Sequence, residues 1–181
     1  METLQSIKDR IPDYAKDLRL NLDAVLNRSS LTPVQANGAA LAAAFAAKSP
    51  ALVAALRDGG LDPAQAQAAL TAAALMGMNN VWYPYVEMAA DAELRTVRPE
   101  LRMNAYASHG GVDRTSFELY ALAASIVGKC EFCIQSHYKL LRENGFSTQQ
   151  LRDVGRIAAV VNAVAQVLAA ERVAASETVA A

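Results

Sequence analysis

The segment ELYALAASIVGKCEFCIQSHYKLLRENG, residues 118–145, contains both cysteines of the chain and one of its two histidines. Cys130 and Cys133 form a C-x-x-C motif, and His137 follows four residues after the second cysteine. Residues three and four apart in a helix lie on one face, with Cβ atoms about 5–6 Å apart. The two sulfurs and the imidazole can therefore converge locally, and the spacing suits a disulfide.

A helix break is predicted directly before this motif. Gly128 can end one helix and allow the next to begin near Cys130. Free backbone N–H groups and the positive end of the helix dipole at such a start favour a thiolate over a thiol. A neighbouring His137 acts in the same direction, as a base or as imidazolium. On the dipole argument alone, Cys130 is the more reactive cysteine.

The rest of the chain has the pattern of an all-α protein. Hydrophobic residues make up 53% of the 181 residues and aromatic residues only 6%, which suits closely packed, alanine-rich helices better than a sheet. Local start signals predict four further helices. These signals are Thr32-Pro33, Ser49-Pro50, Asp62-Pro63 and Ser147. The helix opened by Asp62-Pro63 is predicted to end before Pro84.

The length fits a single domain, residues 1–181. A weak internal repeat suggests that this domain consists of two similar halves, 1–97 and 98–181. The sequences that follow Gly60 and Gly145 share a break, a cap and an apolar helix at the same offset. In this alignment only the second half carries cysteines.

Charge and hydropathy argue against two classes of partner. The net charge of −1 and the pI of about 6.1 do not fit a nucleic-acid binder. The apolar carboxyl-terminal stretch is predicted to be a helix from Leu151 to about Val173, followed by a frayed tail. Arg152, Asp153 and Arg156 interrupt its apolar sequence. No membrane span is expected. Since the amino end also lacks the order of a signal peptide, we expect a cytoplasmic protein.

Two cysteines in one motif cannot cross-link distant parts of the chain, so they indicate local chemistry. A redox dithiol is favoured. A zinc site formed by Cys130, Cys133, His137 and Glu118 is an alternative, although no second C-x-x-C completes a closed site. Packing as two small hydrophobes and a purely interacting domain are the remaining alternatives.

Glu118 and His137 also have structural interpretations. The segment from Thr115 to Glu118 fits the S/T-x-x-E capping box, with Thr115 as the helix cap, and spacing alone favours that role. His137 alone would suit a solvent-facing helix position. The aromatic residues of segment 82–85 have helical spacing and no converging charge, so we expect core or subunit contacts there rather than a ligand site.

Four segments together resemble one known family. They are IPDYAKDLRLNL from Ile11, MGMNNVWY from Met76, RPELRMN from Arg98 and FELYALAASIVGKCEFCIQSH from Phe117. The chain resembles, over nearly its whole length, the AhpD-type alkylhydroperoxidases of the carboxymuconolactone decarboxylase-like superfamily. The resemblance implies an all-α fold, a homotrimer, and reduction of hydroperoxides through the cysteine pair without a bound cofactor.

The resemblance also implies partners. Members of the family reduce the oxidised peroxiredoxin AhpC. Their electrons come from dihydrolipoamide, which is the reduced lipoyl group of a dihydrolipoamide acyltransferase, and this group is in turn reduced by its flavoprotein dehydrogenase. A carboxymuconolactone-type decarboxylase is the alternative within the superfamily. Such relatives need no redox cysteine pair, so the C-x-x-C motif argues against that activity.

By position, the resemblance assigns roles to four residues. Cys133 matches the cysteine that attacks peroxide and becomes a sulfenic acid, and Cys130 matches the resolving cysteine that closes the disulfide. Glu118 and His137 match the proton relay that activates Cys133. The role of Cys133 differs from the dipole argument, which favours Cys130 as the nucleophile. The role of Glu118 in the relay differs from its capping role.

One position departs from the family pattern. Some members have a histidine directly before the second cysteine, where this chain has Phe132. The relay is therefore expected to be shorter, resting on Glu118 and His137. Phe132, Ile134 and Tyr138 are candidates for an apolar entrance for alkyl peroxides.

Overall fold

Helices account for the regular structure of residues 2–179, the part of the chain that the computed structural model describes, with side chains described for residues 2–172. No strand occurs in that part, which confirms the all-α prediction. Its α-helices are α1 Leu4–Asp9, α2 Asp17–Asn27, α3 Pro33–Ala46, α4 Pro50–Arg57, α5 Pro63–Ala89, α6 Asn104–Ala107, α7 Arg114–Gly128, α8 Glu131–Glu143 and α9 Thr148–Val179.

The four predicted helix starts are confirmed, and three of them are fixed by capping side chains, whereas α4 begins without a capping hydrogen bond from a side chain. The Thr32 hydroxyl accepts from the Gln35 N–H at 3.2 Å, and the Gln35 side chain accepts from the Thr32 N–H. Asp62 accepts from the Ala64 N–H at 2.9 Å. Ser147 caps α9 in the same way as Thr32 caps α3. Each cap satisfies backbone donors that a helix leaves free in its first turn.

Two predicted helix ends are wrong. Pro84 lies inside α5, which continues to Ala89. Proline removes one backbone hydrogen bond, but the helix continues for five residues beyond Pro84, and Tyr83, directly before the proline, stacks on Phe132 of α8. The last helix also runs further than predicted, to Val179. Ala180 and Ala181, the end of the tail predicted to fray, lie outside the described residues.

Helix α7 lies at the centre of the protein and packs against α3, α5, α8 and α9. Small residues make this possible. A Cβ at Gly38 of α3 would overlap the buried ring of Tyr120 on α7, so glycine permits the close contact of these helices. Residues of both proposed halves share one hydrophobic core. The division into repeats stays a prediction.

Within α9, the stretch Thr148–Arg172 is long and apolar enough to cross a membrane by length and composition alone, although no membrane span was expected from the sequence. In the fold, α9 packs against α2, α3 and α7. Its apolar face is buried, as in the core helix of a globular domain. The core side chains of this face include Leu151, Val154, Ile157, Val161, Val164 and Leu168.

Candidate active site

A sharp joint between α7 and α8 places the C-x-x-C motif. Helix α7 ends at Gly128, Lys129 adopts a left-handed conformation with φ 56°, and Cys130 is the N-cap of α8. A Cβ at Gly128 would overlap the side chain of Asn80, whose amide donates to the Ala124 carbonyl at 3.1 Å. The predicted break at Gly128 is confirmed, and it anchors the joint against α5.

The two cysteines are joined in a disulfide, with Cα atoms 5.3 Å apart. Cys130 is fully buried and Cys133 is 3% exposed. As N-cap, the Cys130 sulfur accepts from the Cys133 N–H at 3.2 Å, and it also contacts the carbonyl oxygen of Asn79 at 3.8 Å. The predicted convergence of the two sulfurs is confirmed, and the structure represents the oxidised state of the pair.

His137 and Glu118 form a buried pair across the α7–α8 interface. Nδ1 of His137 lies 2.6 Å from Oε2 of Glu118. His137 is 5% exposed and Glu118 is fully buried, so the solvent-facing interpretation of His137 is wrong. The capping interpretation of Glu118 is wrong as well. Asp113 caps α7 by accepting from the Ser116 N–H at 2.9 Å, and the helix therefore begins before Thr115.

Tyr106 completes the surroundings of the Glu118 carboxylate. Its hydroxyl donates to Oε1 of Glu118, and Nε of Arg114 lies 3.9 Å from the same oxygen. Burial raises the pKa of Glu118, but the hydrogen bonds from His137 and Tyr106 and the charges of His137 and Arg114 lower it, so that this pKa lies below its usual range. Glu118 is thus a carboxylate at neutral pH.

The pKa of Tyr106 is shifted in the opposite direction. Burial raises it, and the hydrogen bond to Glu118 and the negative charge of that carboxylate raise it further. The hydroxyl therefore remains a proton donor to Oε1. Because an ionised carboxylate only accepts hydrogen bonds, the Nδ1 atom of His137 carries a proton directed at Oε2.

The second imidazole nitrogen faces a sulfur atom. Nε2 of His137 lies 3.2 Å from Sδ of Met76, a fully buried residue of α5. His137 is thereby held between α5 and α7, with one ring nitrogen on a thioether and the other on a carboxylate. The orientation of the ring is therefore fixed from both sides.

A cavity of about 320 Å³ opens onto Cys133 and His137, and we call it the disulfide cavity. Its walls come from α5, α6, the segment before α6 and the first two turns of α8. The lining residues are Asn79, Tyr83, Met103, Tyr106, Ala107, Phe132, Cys133, Ser136 and His137. Cys130 lies behind Cys133, away from this space. A small molecule in the cavity would therefore meet Cys133 first.

Of the three residues predicted to form an apolar entrance, one lies at the disulfide cavity. Phe132 lines the disulfide cavity, whereas Ile134 and Tyr138 are not part of its wall. Ile134 instead packs against the hydrophobic core, and Tyr138 is 36% exposed on α8.

The aromatic segment at the end of α5 is not core, contrary to one of the two interpretations. Trp82 and Tyr83 are half-buried and Tyr85 is 51% exposed. Tyr83 lines the disulfide cavity and stacks on Phe132, with ring centroids 4.3 Å apart. We expected no ligand site in this segment, but the position of Tyr83 places one of its side chains at the cavity.

A zinc site has no geometric support. Across the part of the chain with described side chains, no group of three or more His, Cys, Asp and Glu residues is arranged to hold a metal ion. The four candidate ligands are engaged otherwise, because the cysteines bond to each other and His137 pairs with Glu118.

Sequence reasoning missed Tyr106 and Met76. Tyr106 lies 12 residues before Glu118, in a segment without helical periodicity, so no spacing rule connects the two. Met76 and Asn79 lie in the segment MGMNNVWY, which carried the family resemblance but no local chemical motif. Only the packing of α5 against α7 and α8 brings Met76 and Asn79 to the site.

Comparison with known proteins agrees with the geometry. The model of the carboxymuconolactone decarboxylase family matches residues 92–176. The chain is 47% identical over 173 residues to the alkyl hydroperoxide reductase AhpD of Rhodospirillum centenum, covering 93% of this chain and 92% of that protein. Over 170 residues it is 42% identical to AhpD of Coxiella burnetii, covering 91% and 96%. AhpD of Streptomyces coelicolor is 42% identical over 178 residues, covering 97% and 99%.

These relatives match along almost their whole length, including the amino-terminal helices that lie outside the family model. The resemblance inferred from the four sequence segments is thereby confirmed. The chain belongs to the AhpD-type alkyl hydroperoxide reductase family.

Proposed function

We propose that the chain is a thiol-dependent alkyl hydroperoxide reductase that cycles between a dithiol and the Cys130–Cys133 disulfide. The observation that carries this proposal is the disulfide itself, buried beside a cavity that Cys133 and His137 both line, with His137 paired to Glu118 behind the cavity wall. A structural disulfide would not need a cavity at one sulfur and a buried acid–base pair beside it.

In the oxidative half of the cycle, the Cys133 thiolate attacks one oxygen of the peroxide. The O–O bond breaks, Cys133 becomes a sulfenic acid, and the leaving oxygen takes a proton and departs as an alcohol. His137 and Glu118 supply and return that proton. The Cys130 thiol then condenses with the sulfenic acid, which forms the disulfide and releases water. The location of Cys133 at the cavity wall and Cys130 behind it supports this order.

In the reductive half, a dithiol such as dihydrolipoamide attacks the disulfide. A mixed disulfide forms, the second thiol of the reductant displaces the protein thiol, and two protein thiols and a cyclic disulfide result. We propose that lipoyl groups on a dihydrolipoamide acyltransferase supply these electrons. An AhpC-type peroxiredoxin, in its oxidised disulfide form, is the proposed physiological acceptor beside free hydroperoxides.

We further propose a homotrimer. Val81, Tyr85 and Met88 recur at helical spacing on α5 and are 70%, 51% and 79% exposed. Side chains of this size are costly to leave in water when they cluster on one face. They form a suitable surface for contact between subunits, and sedimentation analysis of the purified protein tests it.

Thiol titration tests the proposed activity. The reduced protein should lose two thiols per chain on addition of one equivalent of cumene hydroperoxide, and dihydrolipoamide should restore both. Cys133→Ser should abolish the reaction. Cys130→Ser should stop after one oxidation, with a sulfenic acid detectable by mass. Full peroxide turnover by Cys133→Ser would refute the assignment of the attacking thiol.

A further inference from the structure

A second cavity adjoins the disulfide cavity, and we call it the outer cavity. Its volume is about 490 Å³, within the range of small-molecule sites in proteins. The last turns of α5 form one side, and the helical turn Leu94–Thr96 with the extended segment after it forms the other. Phe132, in the first turn of α8, closes the end nearest the cysteines.

Tyr83 and Phe132 line both cavities. Their rings are stacked, with centroids 4.3 Å apart and planes inclined by 26°, so the stacked pair is the partition between the two spaces. Phe132 directly precedes Cys133 in sequence and is 46% exposed. A molecule lying in the outer cavity would therefore approach Cys133 past the edge of this partition.

The walls of the outer cavity favour an apolar occupant. They include the side chains of Trp82, Val86, Leu94, Val97 and Pro99. The charged residues at the cavity, Glu87 and Arg95, have opposite signs, so the cavity offers no net charge to an ionic ligand. A hydrocarbon group would gain free energy by leaving water here, at about 25 cal/mol per Å² of buried apolar surface.

We propose that the outer cavity binds the hydrocarbon part of a bulky hydroperoxide while its peroxide group reaches Cys133, and that Phe132 and Tyr83 determine this specificity. The inference rests on the proposed function. The chemical step is unchanged: the O–O bond breaks at Cys133, and the organic group leaves as an alcohol. The outer cavity contributes binding that hydrogen peroxide, with no hydrocarbon group, does not use.

Narrowing the outer cavity tests this proposal. Val86 is half-buried and lines the outer cavity but not the disulfide cavity. In Val86→Phe, the ratio of the rate constants for thiol oxidation by cumene hydroperoxide and by hydrogen peroxide should fall about tenfold, the usual scale for steric discrimination in an apolar pocket. The loss should appear mainly in KM for cumene hydroperoxide. The matched control is Val34→Phe on α3, where Val34 is 43% exposed. In this control, the ratio of the two rate constants should equal that of the wild type.

Opening the partition provides a second test. Phe132→Ala removes the stacked ring, so the ratio of the two rate constants should change by several-fold, with a new dependence on the size of the hydroperoxide. An unchanged ratio in both variants would overturn the proposal. The proposal would also be overturned if Val86→Phe changed only the recovery of thiols by dihydrolipoamide, because the cavity would then bind the reductant. A change in the sedimentation of the protein alone would overturn it as well, because the cavity would then contact a second copy of the chain.

The wild-type protein separates this proposal from the proposed function. If the reduced wild type loses no thiols with either peroxide, the reductase activity itself is wrong. If it reacts with both and the variants discriminate between the peroxides as the wild type does, the activity stands and only the role of the outer cavity is refuted.

Discussion

Oε2 of Glu118 lies 2.6 Å from Nδ1 of His137 and thereby joins the centre of α7 to the face of α8 that carries Cys133. Oε1 of the same carboxylate accepts from Tyr106. Both oxygens of a fully buried carboxylate are therefore occupied. Such an arrangement fixes the imidazole and keeps a negative charge next to it, and the proposed proton relay to Cys133 depends on both properties.

Replacing Glu118 with glutamine should slow the reaction of Cys133. The variant keeps the shape but loses the charge that orients and polarises His137, so peroxide-dependent disulfide formation should fall about 100-fold, the lower range for a lost acid–base group. In the Cys130→Ser background, the curve of Cys133 alkylation against pH should shift to higher pH. Glu143→Gln, at the exposed end of α8, is the matched control. An unchanged alkylation curve would remove Glu118 from the relay.

Removing the Tyr106 hydroxyl should change stability in a pH-dependent way. The hydrogen bond to Glu118 lowers the pKa of that carboxyl in the folded state, so it stabilises the fold above the unfolded pKa of about 4.3. This contribution is lost as the pH falls through the lower folded pKa. Tyr106→Phe should therefore cost about 1.5–3 kcal/mol of unfolding free energy at neutral pH, as expected for a hydrogen bond to a charged group.

Urea unfolding across the acidic range measures this effect, and the difference from wild type should shrink as Glu118 becomes protonated. Tyr138→Phe is the control, because Tyr138 is 36% exposed and its substitution should change stability by less than about 0.5 kcal/mol. A constant difference at every pH would mean that the contribution of the Tyr106 hydroxyl does not depend on the charge of Glu118.

The sequence predicts features that depend on neighbouring residues. The caps at Thr32 and Ser147 are correct because the side chain and the backbone donor lie three residues apart. The C-x-x-C disulfide is equally local. The capping role of Glu118 failed because Asp113, two residues before Thr115, competes successfully for the same helix end. Local patterns do not show which of two capable caps is used.

Features that depend on packing between distant segments were not predictable in this way. Met76 meets His137 across 61 residues of sequence, and no periodicity encodes that contact. A proline such as Pro84 normally ends a helix, yet α5 continues through it to Ala89. The family resemblance supplied Glu118 and His137 as site residues. The contacts of Tyr106 and Met76 required the structure.

Asp153 of α9 gives a test of how the amino-terminal helices are held to the core. It is 2% exposed and accepts from the Ser30 N–H and hydroxyl, both at 2.8 Å, and from Arg152 and Arg156 at 3.0 Å. Burial raises its pKa, but the hydrogen bonds from Ser30, Arg152 and Arg156 lower it well below the usual range. The ionised carboxylate therefore stabilises the fold above about pH 3.9, the unfolded pKa.

We expect Asp153→Asn to lower the unfolding free energy by about 2–4 kcal/mol at neutral pH, because two arginines and two Ser30 donors lose a charged partner. The difference from wild type should narrow only in strong acid, as the pH falls through the folded pKa. Asp58→Asn, at an exposed ion pair with Arg57, should cost less than about 0.5 kcal/mol. Equal effects of the two substitutions would contradict an anchoring role for Asp153.

Two glycines in helices should respond to alanine with opposite signs. At Gly38, a Cβ would overlap the ring of Tyr120. That ring is fully buried, and its hydroxyl donates to Gln65 at 2.6 Å, so it cannot move without losing packing and a hydrogen bond. Gly38→Ala should therefore cost about 1–3 kcal/mol of unfolding free energy, the range for overpacking a core.

At Gly155 of α9, a Cβ would enter open space, with no packing neighbour within 4 Å. Alanine loses less conformational freedom than glycine when a helix forms, so Gly155→Ala should raise the unfolding free energy by about 0.5–1 kcal/mol. The urea unfolding midpoints of Gly38→Ala and Gly155→Ala, each compared with the wild type, test these opposite signs. If both variants were stabilised, α3 and α7 would be able to separate at Tyr120, and the close contact of these two helices would not be a fixed feature of the fold.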